Sequence, residues 1–186
     1  MNVTDAIHAR RAYRSLEKVE ITRETVEDLA THAQLSASCF NNQPWRYVFV
    51  YEREKLEEMY EALSHGNAWA RQSSMIIAAF SRPEDDCQVR GRDYHQFDLG
   101  MATATMILRA TELGLVAHPI SGFSPDKARD ILGIPEEYTV LTLIIVGKKM
   151  EEIHLSLSED QIKKEAIRPE RKPLKEWAYQ NKYQGT

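Results

Sequence analysis

The chain of 186 residues is long enough to bury the core of one ordinary domain without disulfides or metal ions, so we expect a single domain over 1–186. Hydrophobic residues make up 42% and charged residues 28%, which is typical of globular proteins and excludes the disordered and collagen-like classes. The 24 basic and 28 acidic residues are spread along the chain and give a net charge of −4, which argues against nucleic acid or an anionic membrane as a partner.

The beginning of the chain and its two cysteines bear on localisation. The segment from Met1 to Ala12 carries charged residues and lacks the apolar centre of a signal peptide, and no apolar run reaches the roughly 18 residues that span a bilayer. Cys39 and Cys87 show no paired spacing, so we expect neither a disulfide framework nor a zinc ribbon. These features predict a cytoplasmic protein from a reducing compartment, with no membrane partner.

The first half of the chain is predicted to alternate helices and strands. After Thr22, a candidate N-cap, the apolar residues follow helical spacing as far as Ala33. Residues 46–51 alternate and are aromatic or β-branched, which predicts a strand. Residues 56–63 repeat the helical pattern, and 75–80 form a short continuous apolar run that predicts a buried strand.

The second half begins with a long helix over 93–113, whose many small residues indicate packing on more than one side and a central position. Residues 116–119 predict a short strand. Ser124 followed by proline is a helix start, and Gly133 is a helix stop. The run 140–146 is predicted to be the most buried strand.

The composition changes after Gly147. Residues 168–183 contain prolines and many charges, with too few apolar residues to form a core of their own. Trp177, Tyr179 and Tyr183 favour packing on a neighbour, because three aromatic side chains are a poor choice for a free tail. We therefore interpret about 150–186 as a C-terminal extension.

Phosphate binding would have to rely on side chains. No two of the eight glycines are close enough to form a dinucleotide-binding or Walker loop. Cationic residues form two clusters at opposite ends of the chain, Arg10, Arg11 and Arg14 at the start and Arg168, Arg171 and Lys172 near the end. On its own, the first cluster is better explained as solvated cations that interact with the dipole of a short first helix.

Three motifs together resemble the nitroreductase family of flavoproteins. The first is Arg10-Arg11-Ala12-Tyr13-Arg14 after an N-terminal helix, the second runs from Ser36 to Trp45, and the third is Pro119-Ile120-Ser121-Gly122-Phe123. They occur in the order and spacing of the family, and the similarity extends to the basic tail at Arg171 and Lys172. The small polar residues of the second motif can also offer hydrogen bonds to a polar ring.

The resemblance implies an α+β fold, a nitroreductase-like α/β/α sandwich whose central, mostly antiparallel mixed sheet is flanked by helices. It implies a homodimer with FMN at the interface and a C-terminal extension that embraces the partner. The cofactor-binding residues implied by the family are Arg10, Arg11, Ala12, Arg14, Ser38, Cys39, Asn41, Asn67, Pro119, Ile120, Ser121, Gly122, Arg171 and Lys172. Ser38, Cys39 and Asn41 would line the flavin from either subunit.

The activity implied is that of an FMN-dependent oxidoreductase, which takes hydride from NADH or NADPH and reduces a nitroaromatic, a quinone or a similar acceptor in a two-step ping-pong reaction. Arg10 or Arg14 would stabilise negative charge near N1 and O2 of FMN, and the backbone N–H of Ser121 would reach N5. No catalytic side chain is then required. Phe40 and Trp69 could line the substrate channel or could equally belong to the core.

Several positions depart from the family pattern and leave other functions open. Ala12 and Cys39 each stand where a serine is common, and Ser121 stands where an acidic residue or glycine is common. We therefore keep as alternatives a flavin carrier or sensor without turnover, an enone reductase, a dehalogenase and a flavin-fragmenting enzyme. Cys39 is interpreted as a packed or flavin-facing thiol rather than a nucleophile. The histidines show no metal-ligand spacing, so no metal site is predicted.

Overall fold

A five-stranded sheet lies at the centre of the protein in a computed structural model that describes residues 1–185. Its strands are β1 (Leu16–Glu17), β2 (Arg46–Val50), β3 (Met75–Ser81), β6 (Leu115–Ile120) and β7 (Thr139–Lys149). A separate hairpin consists of β4 (Gln88–Val89) and β5 (Arg92–Asp93).

The longest strand, β7, organises the sheet. It pairs with β6 along one side and with β3 and then β1 along the other, and β2 pairs with β3 at the edge. All of these pairings are antiparallel, as the family resemblance implies for most of the sheet. The parallel pairing that a mixed sheet would require does not occur within residues 1–185.

The two central strands explain why their sequences read as continuous apolar runs. Along β3, Ile76 and Ala78 pack in one layer of the core, while Met75 and Ile77 pack in the other. Successive side chains of a strand point to opposite faces, so a strand covered on both faces must be apolar at every position. Burial of each larger side chain, such as Ile76 or Met75, contributes about 1.5–3 kcal/mol relative to its exposed state.

Helices cover both faces of the sheet. One layer holds α1 (Val3–Ala9), α2 (Arg23–Gln34) and α4 (His95–Glu112), and the other holds α3 (Arg53–Tyr60) and α5 (Pro125–Leu132). The predicted helix ends are confirmed: Thr22 and Ser124 cap α2 and α5 through their hydroxyls, and Gly133 ends α5 at a φ of +64°. No helix within residues 1–185 has the length and apolar character that crossing a bilayer requires.

The C-terminal extension contains one helix that the sequence analysis missed. This helix, α6 (Glu159–Ala166), begins with a capping box in which Ser158 and Gln161 exchange side-chain and backbone hydrogen bonds. The residues after it form a single 3₁₀ turn over Leu174–Glu176, and Trp177 is 59% exposed. The packing of this tail on a neighbour therefore stays a prediction.

Candidate functional site

A pocket of about 150 Å³ lies where the two ends of the chain meet, and we call it the arginine pocket. The residues that line it are Arg10, Arg11, Ala12, Arg14, Lys164, Arg168, Pro169 and Arg171. The two cationic clusters, far apart in the sequence, thus share one surface of a single protomer. Lys172 is not among the described lining residues, and its carbonyl accepts a hydrogen bond of 3.3 Å from the Trp177 indole.

The arginine pocket is shaped by α6 through one buried carboxylate. Glu165 is only 6% exposed, and its oxygens accept the backbone N–H of Arg14 at 3.0 Å and that of Ser15 at 2.8 Å. The Arg11 guanidinium donates to the carbonyls of Lys164 and Glu165 at 3.1 and 2.9 Å. Hydrogen bonds to a charged group are stronger than neutral ones, so α6 holds the backbone of the first motif in place.

Electrostatics favour an anion in this pocket. Arg168 donates to the backbone carbonyl of Arg10 at 3.0 Å, which places a second positive charge beside this segment. Burial, then the charges of Arg168 and Arg171, lower the pKa of Arg10. Cations packed this closely repel one another, and a bound phosphate would relieve the repulsion while accepting their hydrogen bonds.

A chain of contacts leads from the arginine pocket to the third motif. The Arg14 guanidinium lies 5.9 Å from the centre of the Trp69 ring, and the Trp69 indole donates to Asn67 at 3.1 Å. The Asn67 amide then donates to the carbonyl of Gly122 at 2.9 Å. Trp69 itself lies in the core at 2% exposure and does not face open space in this protomer.

The close approach of Asn67 explains the glycine of the third motif. A Cβ atom at position 122 would lie 2.5 Å from the Asn67 amide nitrogen and 2.7 Å from the Ser64 hydroxyl, so a side chain does not fit. Ser121, the neighbouring residue, is exposed, whereas Ile120 is buried in the core. The fold therefore places Asn67 and the turn after β6 on one surface beside the arginine pocket.

The buried His118 supports, from the core side, the surface formed by Asn67 and the turn after β6. Its ring stacks on Trp69 with centroids 4.8 Å apart, and its Nδ1 lies 3.0 Å from the carbonyl oxygen of Tyr13. The pKa of His118 is lowered to about 4, chiefly by burial and also by the charges of Arg14 and Arg10, against the opposing effects of the Tyr13 carbonyl and of Glu165. The imidazole is therefore neutral at pH 7, and its Nδ1–H donates to the carbonyl, which can only accept.

The second motif forms a separate loop after α2. Phe40, Asn41 and Gln43 have positive φ angles of 49°, 60° and 51°, and Phe40 is 85% exposed. The Ser38 hydroxyl accepts the Gln43 N–H at 3.0 Å and closes the loop. No hydrogen bond among residues 1–185 joins this loop to the arginine pocket, so contributions of Ser38, Cys39 and Asn41 to the same site stay predictions.

The expectation that the two cysteines form no disulfide was wrong. Cys39 and Cys87 are bonded to each other, with their Cα atoms 6.1 Å apart. The cysteines are 48 residues apart, and only the packing of the loop against the segment before β4 brings them together. The thiol interpretation of Cys39 and the argument for a reducing compartment fall with it. Close by, buried Asp98 accepts the Cys39 N–H at 2.6 Å, and burial, together with the Asp86 carboxylate, raises the pKa of Asp98.

Comparisons with known proteins bear on the family and the fold. The profile of the nitroreductase family matches residues 7–148. A protein of Archaeoglobus fulgidus, provisionally named an NADH dehydrogenase/NAD(P)H nitroreductase, is 26% identical over 171 residues, which cover 89% of this chain and 95% of the relative.

Two solved structures share the fold. A crystal structure described as an oxidoreductase containing FMN has a TM-score of 0.86 at 24% identity, covering 100% of this chain and 95% of the other. A protein of Exiguobacterium sibiricum, provisionally named a nitroreductase and solved in complex with FMN, has a TM-score of 0.73 at 18% identity, covering 87% and 96%.

Proposed function

The chain belongs to the nitroreductase family, and from this premise we propose that it is an FMN-dependent oxidoreductase, which takes hydride from NADH or NADPH and reduces an electron-poor acceptor such as a nitroaromatic or a quinone. The observation that carries the proposal is the arginine pocket, in which five arginines from both ends of the chain converge. This is an anion site built from side chains alone, as a protein without a phosphate-binding glycine loop requires.

The arginine pocket fits the phosphate group of FMN. Guanidinium groups match phosphate oxygens in geometry and charge, and the pKa of Arg10 is lowered first by burial and then by the repulsion from Arg168 and Arg171, which a dianion would offset. A space of about 150 Å³ accommodates a phosphate but not a three-ring flavin. The ring system would therefore lie outside the pocket, along the surface that runs from Arg14 past Asn67 to Gly122.

The residues of that surface suit the polar edge of the ring. Bound there, FMN would supply hydride acceptance from the nicotinamide donor and hydride return to the acceptor. Arg10 or Arg14 would stabilise the negative charge at the pyrimidine edge, and the backbone N–H of Ser121 would orient the ring. If the nicotinamide donor and the acceptor used the same part of the site, they would bind one after the other, which would give the two-step order.

A homodimer would complete the site. Leu174, Trp177 and Tyr183 in the tail are each more than half exposed, and large apolar side chains at this density favour a partner surface. Phe40 projects from the second-motif loop in the same way. We propose that the tail packs on a second copy of the chain, and that the loop from Ser38 to Asn41 reaches the flavin across the interface, with Phe40 beside the acceptor.

The experiment is an anaerobic visible spectrum of the purified chain with added FMN, followed after NADH and then NADPH. Bleaching of a bound flavin band, and its return on adding a quinone, supports the oxidoreductase and identifies its donor. A bound flavin that never bleaches favours a carrier or sensor, and no binding contradicts the cofactor assignment. Mass spectrometry of the products distinguishes the enone reductase, dehalogenase and flavin-fragmenting alternatives.

A further inference from the structure

A cluster of metal-ligating atoms lies away from the arginine pocket, where the second-motif loop meets the turn before β4. The Sγ atoms of Cys39 and Cys87 and a carboxylate oxygen of Asp86 all lie within 4.8 Å of one another, and all three residues are half-buried. We call this set, with Asp98, the cysteine cluster. Two thiol sulfurs and a carboxylate oxygen are a donor set that Zn²⁺ accepts.

The hydrogen bonds around the cysteine cluster leave one ligand position open. Asp86 Oδ1 accepts the Cys87 N–H at 2.8 Å and the Asn42 amide at 3.3 Å. Asp86 Oδ2 is buried and accepts no hydrogen bond from any of residues 1–185. A buried polar oxygen without a partner is unfavourable, and a cation is one way to satisfy it.

The charge balance of the cysteine cluster also favours a bound cation. Asp98 is 1% exposed, and its carboxylate lies beside Asp86 while accepting the Cys39 N–H at 2.6 Å. Neither carboxylate forms an ion pair with a cationic residue in the described part of the chain. Two neighbouring carboxylates, one buried and one half-buried, are costly without a counter-charge, whereas a divalent cation would compensate both.

We propose that, once the disulfide is reduced, Cys39, Cys87 and Asp86 bind Zn²⁺ as three protein ligands, with water in the fourth position. Asp98 acts as a positioning residue, because its hydrogen bond to the Cys39 N–H fixes that ligand. Two thiolates on one zinc lie about 3.8 Å apart, given Zn–S bonds of about 2.3 Å and tetrahedral geometry. Rotation of the two cysteine side chains separates the sulfurs to that distance.

The redox step needs a dithiol reductant from outside the protein. The external dithiol gives two electrons and two protons to the S–S bond, becomes a disulfide itself and leaves two protein thiols. Zinc then replaces the two thiol protons, which are released to solvent. The oxidised chain cannot bind because its sulfurs are bonded to each other, so the disulfide controls access of the metal.

The test titrates Zn²⁺ against a chromophoric chelator into the full chain under anaerobic conditions, after dithiol treatment and removal of the dithiol. We expect one zinc per reduced chain and none per oxidised chain. Co²⁺ in place of Zn²⁺ should give a sulfur-to-metal charge-transfer band, which reports thiolate ligation directly. Neither readout involves FMN, so failure here is distinguishable from failure of the proposed function.

Variants assign the ligands. Asp86→Asn and Cys87→Ser should weaken zinc binding by more than about 100-fold, and Asp98→Asn by about 10- to 100-fold. Glu84→Gln, on the same turn and exposed, is the matched control and should bind as the parent chain does. Asp86→Asn leaves both cysteines in place, so its disulfide state and thermal melt separate a lost ligand from a lost fold.

Four results would overturn the proposal. The first is equal zinc binding by the oxidised and reduced chains, and the second is undiminished binding by Cys87→Ser. The third is absence of stoichiometric binding to a reduced chain that remains folded. Thiol counting on the denatured, untreated protein must also find no free cysteine before the dithiol and two after it, because two free thiols at the outset would remove the redox control.

Discussion

The arginine pocket and the cysteine cluster both join segments that are remote in the sequence, but they do so with opposite chemistry. The arginine pocket connects the two ends of the chain by hydrogen bonds around the single buried carboxylate of Glu165, and it leaves an excess of positive charge. The cysteine cluster connects the second-motif loop to the turn before β4 by a covalent bond and to α4 by the hydrogen bond from the Cys39 N–H to Asp98, and it leaves an excess of negative charge.

Because of this difference, the two regions should respond to different solution conditions. Occupancy of the arginine pocket should depend on ionic strength and on anions, because its attraction for a ligand is electrostatic. The state of the cysteine cluster should depend on thiol reductants and on zinc. Each perturbation should therefore act on one region and leave the other unchanged. Changes in stability and in ligand binding can measure this independence.

The largest effect is expected from opening the disulfide. Because Cys39 and Cys87 are 48 residues apart, the cross-link restricts the unfolded chain strongly, and chain-entropy estimates give about 4 kcal/mol of stabilisation for a loop of this length. Urea denaturation of the oxidised and dithiol-treated chains should show that difference in the free energy of unfolding. Dithiol should not alter Cys87→Ser further, and identical curves for the oxidised and reduced parent would contradict the prediction.

A smaller loss should follow Glu165→Ala. The substitution leaves the N–H groups of Arg14 and Ser15 without their acceptor in a buried position, which costs about 2–3 kcal/mol of unfolding free energy. Glu165→Gln keeps one carbonyl acceptor, so its free energy of unfolding should lie between those of the parent chain and Glu165→Ala. FMN affinity measured by flavin fluorescence should drop with stability. Glu159→Gln, exposed in the same helix, is the control, and an equal loss there would show that the position of the carboxylate is irrelevant.

Arg14→Ala and Arg10→Ala should each weaken FMN binding by about 10- to 100-fold, because a hydrogen bond to a charged group contributes about 1.5–3 kcal/mol. The affinity of the parent chain should also fall as salt rises, and less steeply in the variants. Arg53→Ala, at the start of α3 on another part of the surface, should bind FMN normally. Unchanged FMN affinity in both pocket variants would contradict the phosphate assignment. Zinc binding should be the same in Arg14→Ala and Arg10→Ala as in the parent chain.

Per pH unit, the smallest effect is a pH dependence that arises under the arginine pocket. The pKa of His118 is about 4 in the folded chain against an ordinary 6.5, so the unfolded chain takes up this proton first as the pH falls. Stability is therefore fully present above pH 6.5 and is lost towards pH 4, by about 1.4 kcal/mol per pH unit. Urea denaturation of His118→Asn between pH 7 and 4.5 should give a shallower slope than the parent. Exposed His65→Asn serves as the control and should keep the parent slope.

Most of the fold was predictable because its signals are local. The caps at Thr22, Ser124 and Gly133 and the two apolar strands over 75–80 and 140–146 are patterns of a few residues, and each was confirmed. The one missed helix, α6, is polar on most of its surface and buries only Glu165. Its capping box, serine followed three residues later by glutamine, was the signal that could have revealed it.

Most helices and strands, the family and the residue types of the proposed phosphate site were therefore readable from the sequence, since helical and strand periodicities and short motifs depend on neighbours along the chain. Only the tertiary structure decided that Arg168 and Arg171 meet Arg10, that Glu165 lies beneath them, and that Cys39 meets Cys87. These long-range contacts depend on how β7 and the helices pack together. The free energy of that packing is spread over the entire core, so no local pattern of residues predicts the contacts.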